Sequence, residues 1–385
     1  MKNNLSQKHI LLPAIIIALG LTGLVIHKRN MAFERSEELN RQRSLTNFQK
    51  SNKNKSCYNR KNNSSNSITD LHLHSQPFGG RSLRYTELMT YLKESKVPFA
   101  LLYGIGQTLP HTSSCSYYLN CLGTKASPTI KNDFENAANL HEFPQREVHI
   151  GLSMTFPDLA NPSNIVDNIM LLDQEFPGLF MWMGEVNVMK QALLGNAHEP
   201  ATTNSIAEWK PFMEILRDRR IPLALHSDLG NNADPEKFIY LMDKVLELYP
   251  NNKIIWMHMG LSKELTTYSA SEHIKLMSRY LNKHPNLYLD LSWRVIADNY
   301  FNTPNKRSMY AKFISNYPTR FLAGTDFVAS SNKTIDVYQE EANVTGSIFA
   351  DISDKAFRQV ALGQNYFDLA PGLADKFQAP EICER

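Results

Sequence analysis

The chain of 385 residues is 42% apolar and 21% charged, which suits one large core or two moderate ones and excludes a disordered or fibrous protein. Its formal charge of +3 is unevenly spread: residues 27–61 hold ten Lys/Arg against three acids, and without that segment, Lys2 and Lys8 the remainder stands at −6. The main body is mildly acidic, so nucleic acid is not an expected partner.

Residues 10–26 form an uncharged apolar run of 17 residues, followed directly by His27, Lys28 and Arg29 with no small-residue cleavage pattern. Residues 1–29 are therefore read as an uncleaved single-pass membrane anchor, and the membrane as a partner. Flanking Lys/Arg favour a cytoplasmic downstream side, yet large domains translocate regardless of flanking charge. The bacterial periplasmic face is the expected side. Residues 30–66, rich in Asn, Ser, Lys and Arg, read as a disordered basic tether. Cys115 and Cys121 flank a short loop and are open to two readings, a loop-closing disulfide or two ordinary thiols.

From residue 67 onward short apolar runs alternate with amphipathic stretches. The strand-like runs are 68–74, 97–103, 148–154, 179–185, 222–226, 253–258, 287–291 and 321–326, and the helix-like stretches between them are 82–96, 132–143, 164–176, 206–220, 235–249, 271–284 and 306–317. Near-continuous apolar strands separated by helices mean parallel strands with crossover connections. Eight such units define an α/β fold, a (β/α)8 TIM barrel over residues 67–385, with 353–369 completing the outer ring. An open doubly wound sheet is the competing reading, but no Gly-rich phosphate turn follows an early strand.

A barrel collects its site at the C-terminal ends of the strands. The first run ends in His72 and His74, whose side chains share a face because strand positions two apart point the same way. The fourth ends in Glu185, the fifth in His226, the sixth in His258 and the eighth in Asp326. Taken singly, each has an ordinary explanation: a strand-end histidine is usually a hydrogen-bonded core residue, Glu185 an ion-pair partner, Asp326 a helix cap. Together they place imidazoles and carboxylates at one level on five strands, which points to a divalent-metal site. His198, after the fourth run, and Arg294, past the seventh, are candidate substrate-binding residues; Arg294 is equally suited to a surface ion pair. Residues 104–130, containing Gln107, Tyr117 and Tyr118, read as a lid or wall.

These residues resemble the metal-dependent amidohydrolase superfamily, in its amidohydrolase-2-like branch. The resemblance rests on Asp70-Leu-His72-Leu-His74, Gly184-Glu185, Leu225-His226-Ser227, Met257-His258-Met259-Gly260 and Gly324-Thr325-Asp326, and on Ala361-Leu-Gly-Gln-Asn365 near the end. It implies that His72, His74 and Asp326 ligate a more buried ion, that Glu185 bridges where the family often has a carboxylated lysine, and that His226 and His258 hold a second ion. Zinc is the expected metal, with manganese or iron as alternatives and one or two ions both open. Asp326 and His258 are the expected catalytic residues. The implied activity is hydrolysis, by a metal-activated water, of an amide, lactone or ester C–N or C–O bond in a small-molecule substrate. A metal-dependent decarboxylase or other lyase of the same family and an inactive, membrane-tethered binding protein are the alternatives.

Overall fold

The computed structural model describes residues 45–384 apart from His111. The expected anchor at 10–26 lies outside the described residues, and among those described no helix is long and apolar enough to cross a membrane. The expectation of a membrane-anchored protein is corrected accordingly, since the described residues supply no spanning helix to support it.

The parallel sheet runs β1 (Thr69–His74), β2 (Phe99–Tyr103), β3 (His149–Met154), β4 (Phe180–Met189), β5 (Leu223–Ser227), β6 (Ile254–Trp256), β7 (Leu287–Asp290), β8 (Phe321–Leu322) and β9 (Phe327–Val328). Consecutive strands pair from β1 to β8, and β9 pairs with β1. β8 and β9 are the halves of one interrupted strand: between them Leu71 N donates to Ala323 O at 2.9 Å and Asp326 N to His72 O at 2.8 Å. The sheet thereby closes into the expected barrel. Its strands are buried nearly throughout, which is why they read as apolar runs rather than as alternating ones.

The outer layer comprises α1 (Tyr85–Glu94), α2 (Lys131–Glu142), α3 (Ile165–Glu175), α4 (Lys210–Arg219), α5 (Ile239–Leu248), α6 (Ala270–Lys283), α7 (Pro304–Asn316) and α8 (Ile335–Gly346). α6 shows the logic of the layer: Ala270, His273, Leu276, Met277, Tyr280 and Leu281 recur at helical spacing and are the buried ones. α7 starts where Thr303 accepts from Lys306 N and Pro304 occupies the first turn.

Residues 45–66, read from sequence as disordered tether, are instead packed against the barrel. Phe48 is fully buried, its ring 5.3 Å from Phe99 and 6.4 Å from Phe367, at the end where the strands begin. Tyr58 packs on Phe357, and Cys57 is joined to Cys383. Buried Arg60 donates to Phe349 O and Ile352 O, each at 2.7 Å, and pairs with Asp354. The polar average of the segment conceals these anchors. Residues 30–44 of the expected tether lie outside the described residues.

α2 ties the tops of two strands. Asn136 Oδ1 accepts from Ser75 Oγ and Gln76 Nε2 beyond β1, and Asp133 Oδ1 accepts from Thr155 N and Oγ1 beyond β3, both at 2.8 Å. Burial lifts the Asp133 carboxyl to about 7, against the opposing Thr155 hydrogen bonds. An acid raised in the folded state favours folding in its protonated form. That contribution is full below pH 4 and is lost as pH climbs through 7. Asp133→Asn, which keeps the accepting oxygen, is expected to flatten this loss, worth up to about 4 kcal/mol. Urea midpoints measured from pH 4 to 8 on both proteins test it; parallel slopes would rule out the assignment.

Candidate metal centre

Local backbone geometry brings the side chains together. Gly184, at φ +106°, precedes Glu185; a Cβ there would lie 2.0 Å from Ala224 O, so only glycine lets β4 press against β5. Gly324 plays the same part beside β1, since its Cβ would come within 2.7 Å of His72 Cβ. His258 follows the short β6 at φ 54° and Asp326 follows β8 at φ 60°, both left-handed, and Trp293 beyond β7 has φ 83°. Non-glycine residues in such conformations cluster at functional sites, where the surroundings enforce them.

Four donor atoms converge. His72 Nε2 lies 3.1 Å from His74 Nε2, 3.4 Å from Glu185 Oε2 and 3.5 Å from Asp326 Oδ1. His74 Nε2 lies 3.2 Å from Glu185 Oε2 and 3.3 Å from Asp326 Oδ1. Four ligands arranged tetrahedrally about 2.1 Å from an ion stand roughly 3.4 Å apart, so this spacing fits a zinc-sized cation. His72, Glu185, His258 and Asp326 also form a group whose ligand atoms all lie within 4.8 Å of one another.

The imidazoles are held from behind. His74 Nδ1 donates to Gly104 O at 2.5 Å, leaving Nε2 as the lone-pair nitrogen facing the cluster. His72 Nδ1 donates to Ser292 Oγ at 2.8 Å, and that hydroxyl donates in turn to Asp290. His258 is placed by the same pair, with its backbone N 3.1 Å and its Nδ1 3.4 Å from Asp290 Oδ2. Asp290 and Ser292 were not picked out from the sequence. The available signal is an acid at the end of an apolar run, on a strand that carries no histidine.

Burial alone would lower the imidazoles and raise the carboxyls, but their mutual attraction prevails. Asp326, Asp290 and Glu185 raise His72 well above its usual range and His258 to about 9. Lys190 and His226 hold Glu185 far below the ordinary carboxylate value, and the imidazoles lower Asp326. The cluster therefore draws positive charge inward, which a divalent ion would supply in place of protons.

His226 sits beside the cluster. Its Nδ1 hydrogen-bonds Glu185 Oε1 and its Nε2 lies 2.9 Å from Asp228 Oδ1. Above lies a cavity of about 550 Å³ reached by His74, His226, His258 and Asp326, with Phe78, Tyr117, Tyr118 and Trp293 in its walls. Tyr117 and Tyr118 come from the expected lid, which Cys115 and Cys121 close with a disulfide. Of the two candidate substrate residues, Arg294 borders the cavity, but its guanidinium is engaged by Asp298 at 3.2 Å and Glu340 at 2.6 Å. His198 does not line the cavity; its Nε2 accepts from Lys190 N at 3.2 Å, fixing the backbone where β4 leaves the barrel.

The fold and the strand-end cluster together give a parallel barrel with a candidate metal centre at one rim. Residues 189–362 match the family model described as amidohydrolase, in line with the amidohydrolase-2-like resemblance of the strand-end motifs. The matched span contains His226, His258 and Asp326, while His72, His74 and Glu185 precede it. Among solved structures it is similar to an amidohydrolase from Burkholderia multivorans with bound zinc (10% identity, 78% of this chain and 98% of that one, TM-score 0.48). It is also similar to dihydroorotase from Saccharomyces cerevisiae (16% identity, 76% and 84%, TM-score 0.45). A third is a putative 2-pyrone-4,6-dicarboxylic acid hydrolase from Pseudomonas putida (12% identity, 77% and 94%, TM-score 0.46). No curated protein matches the sequence.

Proposed function

We propose that this protein is a hydrolase that uses a metal-activated water to cleave the C–N or C–O bond of an amide, lactone or ester in a small substrate. The observation supporting this is the convergence of His72, His74, Glu185 and Asp326 at 3.1 to 3.5 Å beneath the cavity. A divalent ion held by these residues supplies Lewis acidity, polarising a carbonyl and acidifying water near neutral pH. Zinc suits the mixed imidazole and carboxylate set, and manganese or iron accept the same donors.

The chain's own groups do the remaining work. Asp326 is 14% exposed against 4% for Glu185 and 2% for Asp290, so it is the carboxylate placed to take a proton from water and return it to the leaving group. His258, oriented by Asp290, and His226, oriented by Asp228, face the substrate from the far side of Glu185. Trp293, Tyr117 and Tyr118 offer apolar surface to the substrate and exclude bulk water.

The test is elemental analysis of the purified full chain beside the His72→Ala/His74→Ala double variant, followed by a screen of lactones, esters, amides and phosphoesters. Bound metal that the variant loses, together with hydrolysis of one substrate class, is the expected result. Carbon dioxide release would replace hydrolase with lyase. A folded protein that takes up no zinc or manganese would end the metal-hydrolase reading.

A further inference from the structure

Lys190 has no part in the mechanism above, yet it is the cation closest to the cluster. It follows β4 with its side chain buried, its Nζ 3.3 Å from Glu185 Oε1 and 5.6 Å from the centre of the Phe78 ring. His198 holds its backbone N. The ammonium is thus anchored at both ends of the residue.

The two oxygens of Glu185 face different surroundings. Oε2 looks toward His72 and His74, while Oε1 meets Lys190, hydrogen-bonds His226 Nδ1 and lies 3.6 Å from His258 Nε2. A carboxylate with donors on both sides is suited to bridging two ions, and the second would lie among Oε1, His226 and His258. In this chain that side already holds a positive charge. An ion about 2.1 Å from Oε1 would come within about 5.4 Å of Nζ, with both charges buried. His226 is engaged as well, one nitrogen on Oε1 and the other on Asp228 Oδ1.

Building on the metal-hydrolase reading, we infer that the centre holds one divalent ion, on the Oε2 side of Glu185, and that the Lys190 ammonium stands where a second ion would otherwise bind. Lys190 is then a positioning residue: it fixes the rotamer of Glu185 and balances its charge, and it makes His226 and His258 substrate-facing groups rather than ligands.

Full-length apoprotein, prepared by chelation, is titrated with Zn²⁺ alone, and bound zinc is counted by elemental analysis after gel filtration. Wild type, Lys190→Met, Lys190→Gln and Lys190→Arg are compared, with circular dichroism confirming which are folded. The expected result is one ion per chain for wild type and Lys190→Arg and two for the neutral variants. Two ions on wild type would overturn the inference without recourse to any variant. A folded neutral variant that stays at one ion would also overturn it, because the exclusion is assigned to the ammonium. No zinc on any folded protein is a different outcome, the failure of the metal-hydrolase reading itself.

Discussion

Asp326→Asn is expected to leave the barrel folded and to lower turnover of the best substrate by about 10²- to 10⁴-fold, the usual contribution of a positioned proton acceptor. The fold should persist for two reasons. Asparagine matches aspartate in size, and it is among the few residues that tolerate the left-handed backbone found at φ 60°. What disappears is the group that takes the proton. Its oxygen lies 3.3 Å from His74 Nε2 and 3.5 Å from His72 Nε2, at the edge of the cavity. Metal content measured on the same sample separates two losses: retained metal with lost turnover isolates the proton transfer, whereas lost metal shows that the carboxylate also holds the ion. Undiminished turnover would remove Asp326 from the mechanism.

Replacing Cys57 and Cys383 together by serine should cost stability rather than chemistry. The bond joins positions 326 residues apart, and releasing a loop of that length frees the unfolded chain by about 6 kcal/mol in the chain-entropy account. For a domain of this size that lowers the melting temperature by roughly 7 °C. The segment bearing Phe48 and Tyr58 should then open before the rest, freeing the backbone at the surface residues Lys50, Lys53 and Lys55 for trypsin while the barrel still resists. Scanning calorimetry and timed proteolysis provide the readout. Melting at the wild-type temperature, with no early cleavage, would show that the buried aromatics and Arg60 hold the segment unaided.

The sequence is most informative where structure and chemistry share a pattern. Eight apolar runs, five of them ending in His72 and His74, Glu185, His226, His258 or Asp326, sufficed to anticipate a barrel with its polar cluster at one rim. The details hidden from it are long-range or conformational. The interruption between β8 and β9 depends on Gly324 approaching His72, a contact that local spacing does not encode. Arg60 reads as one more charge in a basic segment, and only its partners near residues 349–354 make it a buried anchor. A lone lysine after a strand reads as a solvated one, whereas Lys190 is buried between the Phe78 ring and the Glu185 carboxylate.

The Cys57–Cys383 bridge, with its Cα atoms 4.9 Å apart, ties the segment that carries Phe48, whose ring meets Phe99 at the start of β2, to the last described residues. The cavity opens at the opposite rim. A label or a solid support attached next to this bridge would therefore leave the entrance facing outward.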